Sequence, residues 1–198
     1  MKLYYSPGAC SLTQHILLCM SDLEFSVERV DLKTKRTERN RNFFEINPRG
    51  QVPTLELDDK TILTENIAIA QYIADKVPNV KLLAPVGELE RYQTLSWLSY
   101  VATELHKAYG PLFKSQVQAE KDAAITALKD KYAYLEARLK DRHFIATDYF
   151  TIADAYLYVV LRWRKVIPNL PPYPAIDQFM QRVDAFDAVK QALAQEAK

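Results

Sequence analysis

Glycine is scarce, at four in 198 residues. A glycine-rich phosphate cradle or a turn-dense all-β fold needs more, so a helix-rich protein is expected. Cysteine is scarcer still, with Cys10 and Cys19 alone. They form no CxxC pair, and no Cys/His cluster has zinc spacing, so neither a structural disulfide nor a metal site is expected. No stretch reaches the ~18 apolar residues of a membrane span. The opening MKLYYSPGACSLTQHILLCM carries a single Lys2, and Ser6, Pro7, Thr13, Gln14 and His15 interrupt its apolar run. It does not read as a signal peptide, and a cytoplasmic location with reduced thiols is expected. Charge of one sign is also missing: 26 basic against 25 acidic residues leave +1, which argues against a general nucleic-acid binder. What remains is an ordinary globular composition, 48% hydrophobic and 26% charged. The length suits one large or two small domains.

The chain divides near residue 80. Lys2–Tyr5 reads as a strand, and Ser11 is placed to cap a helix running to about Met20. Phe25–Asp31 alternates as a strand, with Phe25 and Val27 on one face. Asn40–Ile46 suits one or two helical turns. Val52–Leu57 and Thr61–Leu63 form a hairpin across Asp58-Asp59-Lys60, and Glu65–Lys76 reads as a helix. The order β-α-β-α-β-β-α implies a small mixed sheet flanked by helices over residues 1–77. Residues 78–86 read as a linker, with two prolines and little periodicity. Beyond it, residues 87–198 are expected to form an all-helical C-terminal domain. Leu128, Tyr132, Leu135 and Leu139 make a helical stripe. Thr151-Ile-Ala-Asp154 has the form of a capping box, although that pattern prefers Glu or Gln at its last position. The apolar AYLYVVLRW after it marks a central helix, its aromatics core residues.

Five features carry chemistry. Cys10 leaves the first strand just before a helix start, where free N–H groups and the helix dipole favour a thiolate. The plain alternative is a small residue in a turn, and Cys19 reads as core. Val52-Pro53 is either an ordinary edge-strand proline or a cis pair that turns the backbone groups of Val52 outward toward a peptide-like ligand. Thr64-Glu65-Asn66 opens a helix, where N–H groups bind a carboxylate and Glu65 takes an ammonium, together suiting an α-amino-acid head. An acid placed well on the dipole is the alternative there. The basic run Lys33 to Arg41 is either a solvated loop or holds, in Lys35, a clamp for a second carboxylate. Thr103, His106 and Lys107 share a face at i, i+3 and i+4 of a predicted helix.

These stretches together resemble a cytosolic glutathione transferase, most closely of the bacterial beta class. The resemblance is carried by MKLYYSPGACSLTQHI, VDLKTKRTE, NPRGQVPTLELDD, LTENIAIAQYIAD, ATELHKAYGPLF and FTIADAYLYVVLRW, over nearly the whole chain. It implies a thioredoxin-like N-terminal domain, an all-helical C-terminal domain and a homodimer. It also implies that Cys10 meets the glutathione sulfur, with His106 and Lys107 facing it from the helical domain. Val52, before a cis Pro53, pairs with the cysteinyl backbone. Glu65 and Asn66 take the γ-glutamyl end, and Lys35 the glycyl carboxylate. Tyr5 and Ser11 match positions near the sulfur. Ser99, Thr103, Glu104, Leu105 and His106 match further contacts, some reaching the partner subunit's site. The Thr151–Asp154 cap matches the family's folding signature.

The sequence departs from the family pattern at Asn66 (usually Ser or Gly), Ser99 (commonly Asn), Lys60 (often Gly, at a position requiring φ > 0) and Ala155, which weakens a hydrophobic staple with Phe150. The implied activity is conjugation of the glutathione thiolate to a hydrophobic electrophile, with catalytic Cys10 and His106. Glutathione serves as co-substrate, and no other cofactor is implied. Glutathione-dependent monothiol disulfide exchange through Cys10 is the alternative enzymatic reading, and a non-catalytic adaptor of the same fold is the third.

Overall fold

The computed structural model describes residues 1–197. These form two compact units. One comprises residues 1–83 together with the stretch from Phe186 onward, and the other comprises Ala84–Ala185.

In the first unit, β1 (Lys2–Tyr5) leads into α1 (Leu12–Met20), then β2 (Ser26–Asp31) and a two-residue β3 (Arg36–Thr37). A 3-10 turn, Phe43–Glu45, precedes the hairpin β4 (Thr54–Glu56) and β5 (Ile62–Thr64), and α2 (Asn66–Lys76) follows. The sheet order is β3-β2-β1-β4-β5, with β1 parallel to β2 and the other pairs antiparallel. This is the expected β-α-β-α-β-β-α arrangement with a short β3 added. Lys60 does take a positive φ, 71°, in the hairpin turn. Phe25 and Val27 fall on one face, as expected, and both are half-buried, while Glu28 and Val30 form the fully buried face of β2. Glu28 tolerates this because Lys2 Nζ donates to its carboxylate at 2.9 Å. Burial raises its pKa, and hydrogen bonds from Thr37 and Lys2 hold it below its usual value.

The last helix, α8 (Asp187–Glu196), packs on α1 and belongs to this first unit. The expectation of one helical domain from residue 87 onward therefore differs from the structure at its C-terminal end. Glu196, buried, accepts from the Gly8 N–H at 3.0 Å and lies 3.2 Å from His15 Nδ1.

The second unit contains α3 (Leu89–Tyr100), which runs straight into a π-helical segment, Val101–His106. Then come α4 (Gly110–Lys114), α5 (Gln118–Leu139), α6 (Ile152–Leu161) and α7 (Pro174–Asp184). Every residue of α6 is buried, as its apolar run foretold. The α5 stripe Leu128, Tyr132, Leu135 and Leu139 is buried too. The Tyr132 hydroxyl meets that of Tyr109 at 2.7 Å inside this core. Asp154 closes the start of α6: its carboxylate accepts from the Thr151 N–H (2.9 Å), the Thr151 hydroxyl (2.7 Å) and the Ile145 N–H (2.7 Å). No helix among the described residues is long and apolar enough to cross a membrane.

Candidate active site

Parallel β1 delivers the chain to a tight loop, Ser6 to Ser11, at the head of α1. The Ser11 backbone occupies the N-cap position, yet its side chain does not cap the helix. Its hydroxyl accepts from the Ser6 N–H (3.2 Å) and donates to the Ser6 carbonyl (3.3 Å), closing the loop on itself. The capping role expected of Ser11 is thus replaced by loop closure, because its backbone is already helical (φ −61°, ψ −23°). Ncap hydroxyls reach the helix N–H groups from an extended backbone instead.

Cys10 is a free, partly buried thiol in this loop. Its Sγ donates to the Val52 carbonyl at 3.5 Å. Val52–Pro53 is a cis peptide, as the second sequence reading of that pair required. The thiolate expectation needs correction. Burial pushes the Cys10 thiol up to about 11, against opposing hydrogen bonds from the Asn66 side chain and from the Cys10 and Ser11 N–H groups. The Glu65 charge pushes it further up. A helix terminus contributes only about 0.3–1 kcal/mol when exposed, too little to overcome desolvation. Cys10 is therefore a neutral thiol at pH 7.

The neighbouring segments are held by a few buried polar side chains. Asn47 donates to the Gln51 carbonyl (2.8 Å) and to Thr54 Oγ1 (2.9 Å), and accepts from the Arg49 N–H (3.0 Å), fixing the approach to Pro53. Lys35, in a left-handed conformation, donates from Nζ to the Gly50 carbonyl at 2.8 Å, which brings it to this same loop. Gly50 itself has φ +59°, and an added Cβ there would sit 2.7 Å from the Phe44 ring. Glu65 enters α2 with a positive φ and pairs with Arg49 on the surface. Asn66 is buried at the head of α2, where Gln14 of α1 donates to its carbonyl and side-chain oxygens. Tyr5 ends β1, directly before the Ser6 that Ser11 grips. Its ring is buried against His15, with centroids 5.6 Å apart.

The remaining site residues lie in the helical unit. Ser99 and Thr103 are exposed, and the Thr103 hydroxyl donates back to the Ser99 carbonyl at 3.0 Å. Glu104 pairs with Lys131 at 2.8 Å, Leu105 is fully buried, and Lys107 is exposed. Thr103 and His106 lie in a π-helical turn rather than an α-helical one, with Lys107 just after it. His106 is half-buried. Its Nδ1 is 2.6 Å from the Tyr156 hydroxyl and its ring lies edge-on to Trp163 at 4.8 Å. Burial, with the Lys114 charge, lowers its pKa to about 4. It is a neutral hydrogen-bonding group at pH 7.

Gln14, Asn47, Arg49 and Glu196 escaped the sequence reading as site-building residues. Gln14 offered one signal, a polar side chain on an otherwise apolar helix. Glu196 offered none, lying 181 positions from its partner His15.

A cysteine at the head of the first helix, set against a cis-proline turn in a β-α-β-α-β-β-α sheet domain, defines a thioredoxin-like thiol site, here followed by a helical unit. Comparison with known proteins narrows this. The family model "Glutathione S-transferase, N-terminal domain" matches residues 1–75, and "Glutathione S-transferase, C-terminal domain" matches residues 94–186. The chain is 49% identical to "Glutathione S-transferase GstA" of Escherichia coli O157:H7, over 99% of this chain and 98% of that one. A sphingomonad glutathione S-transferase solved in complex with glutathione superposes with a TM-score of 0.96 at 41% identity, covering 100% and 99% of the two chains. A bacterial beta class enzyme of Sphingomonas chungbukensis gives 0.95 at 40% identity, covering 99% and 98%. The chain belongs to the glutathione S-transferase family, in its bacterial beta class.

Proposed function

We propose that this protein binds glutathione at the head of α1 and transfers its thiolate to the electrophilic carbon of a small hydrophobic co-substrate. The observation that carries the reading is the placement of the Cys10 sulfur between the carbonyl of cis-linked Val52 and the N–H groups that begin α1. In this reading Val52 pairs with the cysteinyl backbone, and Glu65 and Asn66 hold the γ-glutamyl end. Lys35, already anchored at Gly50, takes the glycyl carboxylate. The thiol of Cys10 donates a hydrogen bond to the glutathione sulfur and leaves the negative charge there. Neutral His106 contributes a hydrogen bond rather than a positive charge. Ser99, Thr103, Glu104, Leu105 and Lys107 complete the proposed contacts, some through a partner subunit in a homodimer. Leu105 does so through its backbone, since its side chain is buried. The free thiols suit a cytoplasmic setting.

The test is to titrate thiolate absorbance near 240 nm for glutathione bound to the protein, and to follow conjugation to 1-chloro-2,4-dinitrobenzene. A bound pKa well below that of free glutathione is expected. A bound pKa equal to the free value refutes the reading.

A second reading is favoured by the sulfur at position 10 itself: monothiol exchange, in which Cys10, on giving up its proton, attacks the glutathione sulfur of a mixed disulfide, forms a Cys10–glutathione disulfide and expels the other sulfur as a thiolate.

A further inference from the structure

His106 is the last residue of the π-helical segment Val101–His106, a geometry found frequently at functional sites. Two aromatic rings of the helical unit hold its imidazole. Tyr156, on the wholly buried α6, meets it edge-on with centroids 5.8 Å apart, and Trp163 meets it edge-on at 4.8 Å. The Tyr156 hydroxyl lies 2.6 Å from His106 Nδ1. Nε2 has no hydrogen-bond partner among the described residues.

Two arrangements satisfy the 2.6 Å contact. In one the phenol donates to a bare Nδ1, and the ring proton sits on Nε2. In the other Nδ1–H donates to the phenol oxygen, and Nε2 is bare. The first makes His106 a donor at its second nitrogen; the second makes it a base there. A phenol, with a pKa of about 10, is a good donor. An imidazole lone pair, which takes up a proton near pH ~6.5, is a far better acceptor than a phenol oxygen. That ranking selects the first arrangement. A hydroxyl has one proton and two lone pairs, so Tyr156 gives its proton to Nδ1 whatever else its oxygen accepts.

We propose that Tyr156 is a positioning residue that holds His106 as its Nε2–H tautomer, so that His106 acts on the glutathione sulfur as a hydrogen-bond donor and not as the base that deprotonates it. The tautomer stands on the His106–Tyr156 contact; its action on glutathione rests on the proposed function. The first test needs neither ligand nor substitution at Tyr156. Long-range proton–nitrogen correlation spectra of the 15N-labelled protein at pH 8 separate the tautomers, because a bare ring nitrogen resonates far downfield of a protonated one. His106 is picked out from the three histidines by its absence from spectra of His106→Gln. A downfield Nδ1 and an upfield Nε2 are expected. The reverse, or an even mixture, overturns the proposal. Tyr156→Phe keeps the ring and removes the donor, with circular dichroism to verify folding. Its two His106 nitrogens should move toward each other as the second tautomer enters. In case that variant does not fold, 3-fluorotyrosine in place of Tyr156 is a stronger acid of nearly the same size and should move Nδ1 further upfield. Unchanged shifts in a folded variant overturn the positioning role. With glutathione bound, Tyr156→Phe should lower the thiolate fraction about threefold, the worth of part of one hydrogen bond, read as absorbance near 240 nm. Slower conjugation with an unchanged bound pKa makes His106 a base and overturns its donor role. A wild-type bound pKa equal to that of free glutathione defeats the proposed function and leaves the tautomer to the spectra.

Discussion

Replacing Asp154 by alanine removes the acceptor for two buried backbone N–H groups, those of Ile145 and Thr151, and for the Thr151 hydroxyl. Both residues are wholly buried, so water cannot take over. An orphaned buried donor is worth about 1–3 kcal/mol, and two of them predict a loss of about 2–6 kcal/mol. The carboxyl itself is also strained electrostatically. Burial raises its pKa from 3.8 to about 6, against the pull of those same hydrogen bonds. The folded pKa exceeds the unfolded one, so between pH 3.8 and 6 the folded state binds more protons. Stability from this group therefore grows as pH falls through that window and is absent at pH 8. At pH 5 the gain is on the order of 1 kcal/mol. The alanine variant has no such group. Urea denaturation of both proteins at pH 8 and pH 5 should show the gap between them widening by that amount at the lower pH. Asp154→Asn, which keeps one oxygen, should recover about half of the loss at pH 8. A gap that is constant, or narrower at pH 5, refutes the reasoning.

Three further outcomes are expected. Tyr132→Phe strands the buried Tyr109 hydroxyl and should destabilise the helical unit by about 1–3 kcal/mol, read as a shift in the urea midpoint. Gly50→Ala meets both a left-handed backbone and the Phe44 ring, with a loss of about 1–3 kcal/mol. A Gly50→Ala/Phe44→Ala double variant should regain part of that in thermal melts. Cys10→Ser should retain measurable conjugation and lose disulfide reduction in parallel assays. Equal loss of both would show one chemistry rather than two.

Much of the first unit was legible because local rules set it. Lys2–Tyr5 reads as a strand, Asp58-Asp59-Lys60 makes a turn, and Glu65-Asn66 opens a helix. The α5 stripe and the apolar α6 read directly as buried surface. Other features depend on partners far along the chain. β3 is two residues long and exists only because β2 offers it an edge. The periodicity of α8 shows an apolar face but not that α1 receives it. The inward turn of Glu28 needs Lys2, and the π geometry of Val101–His106 has no signal in α-helical spacing. For Cys10, position at a helix start is visible in sequence, whereas the desolvation that raises its thiol pKa is not.

The docking of α8 onto α1 has a consequence for biosynthesis. The segment Ala84–Ala185 is contiguous, so all of its partners precede α8 in the sequence. The sheet unit, although its strands are made first, lacks its last wall and the carboxylate that grips Gly8 until Asp187–Glu196 has been made. During synthesis the helical unit therefore has all of its residues before the thiol-bearing unit does, and the loop that carries Cys10 is braced only once α8 has docked on α1.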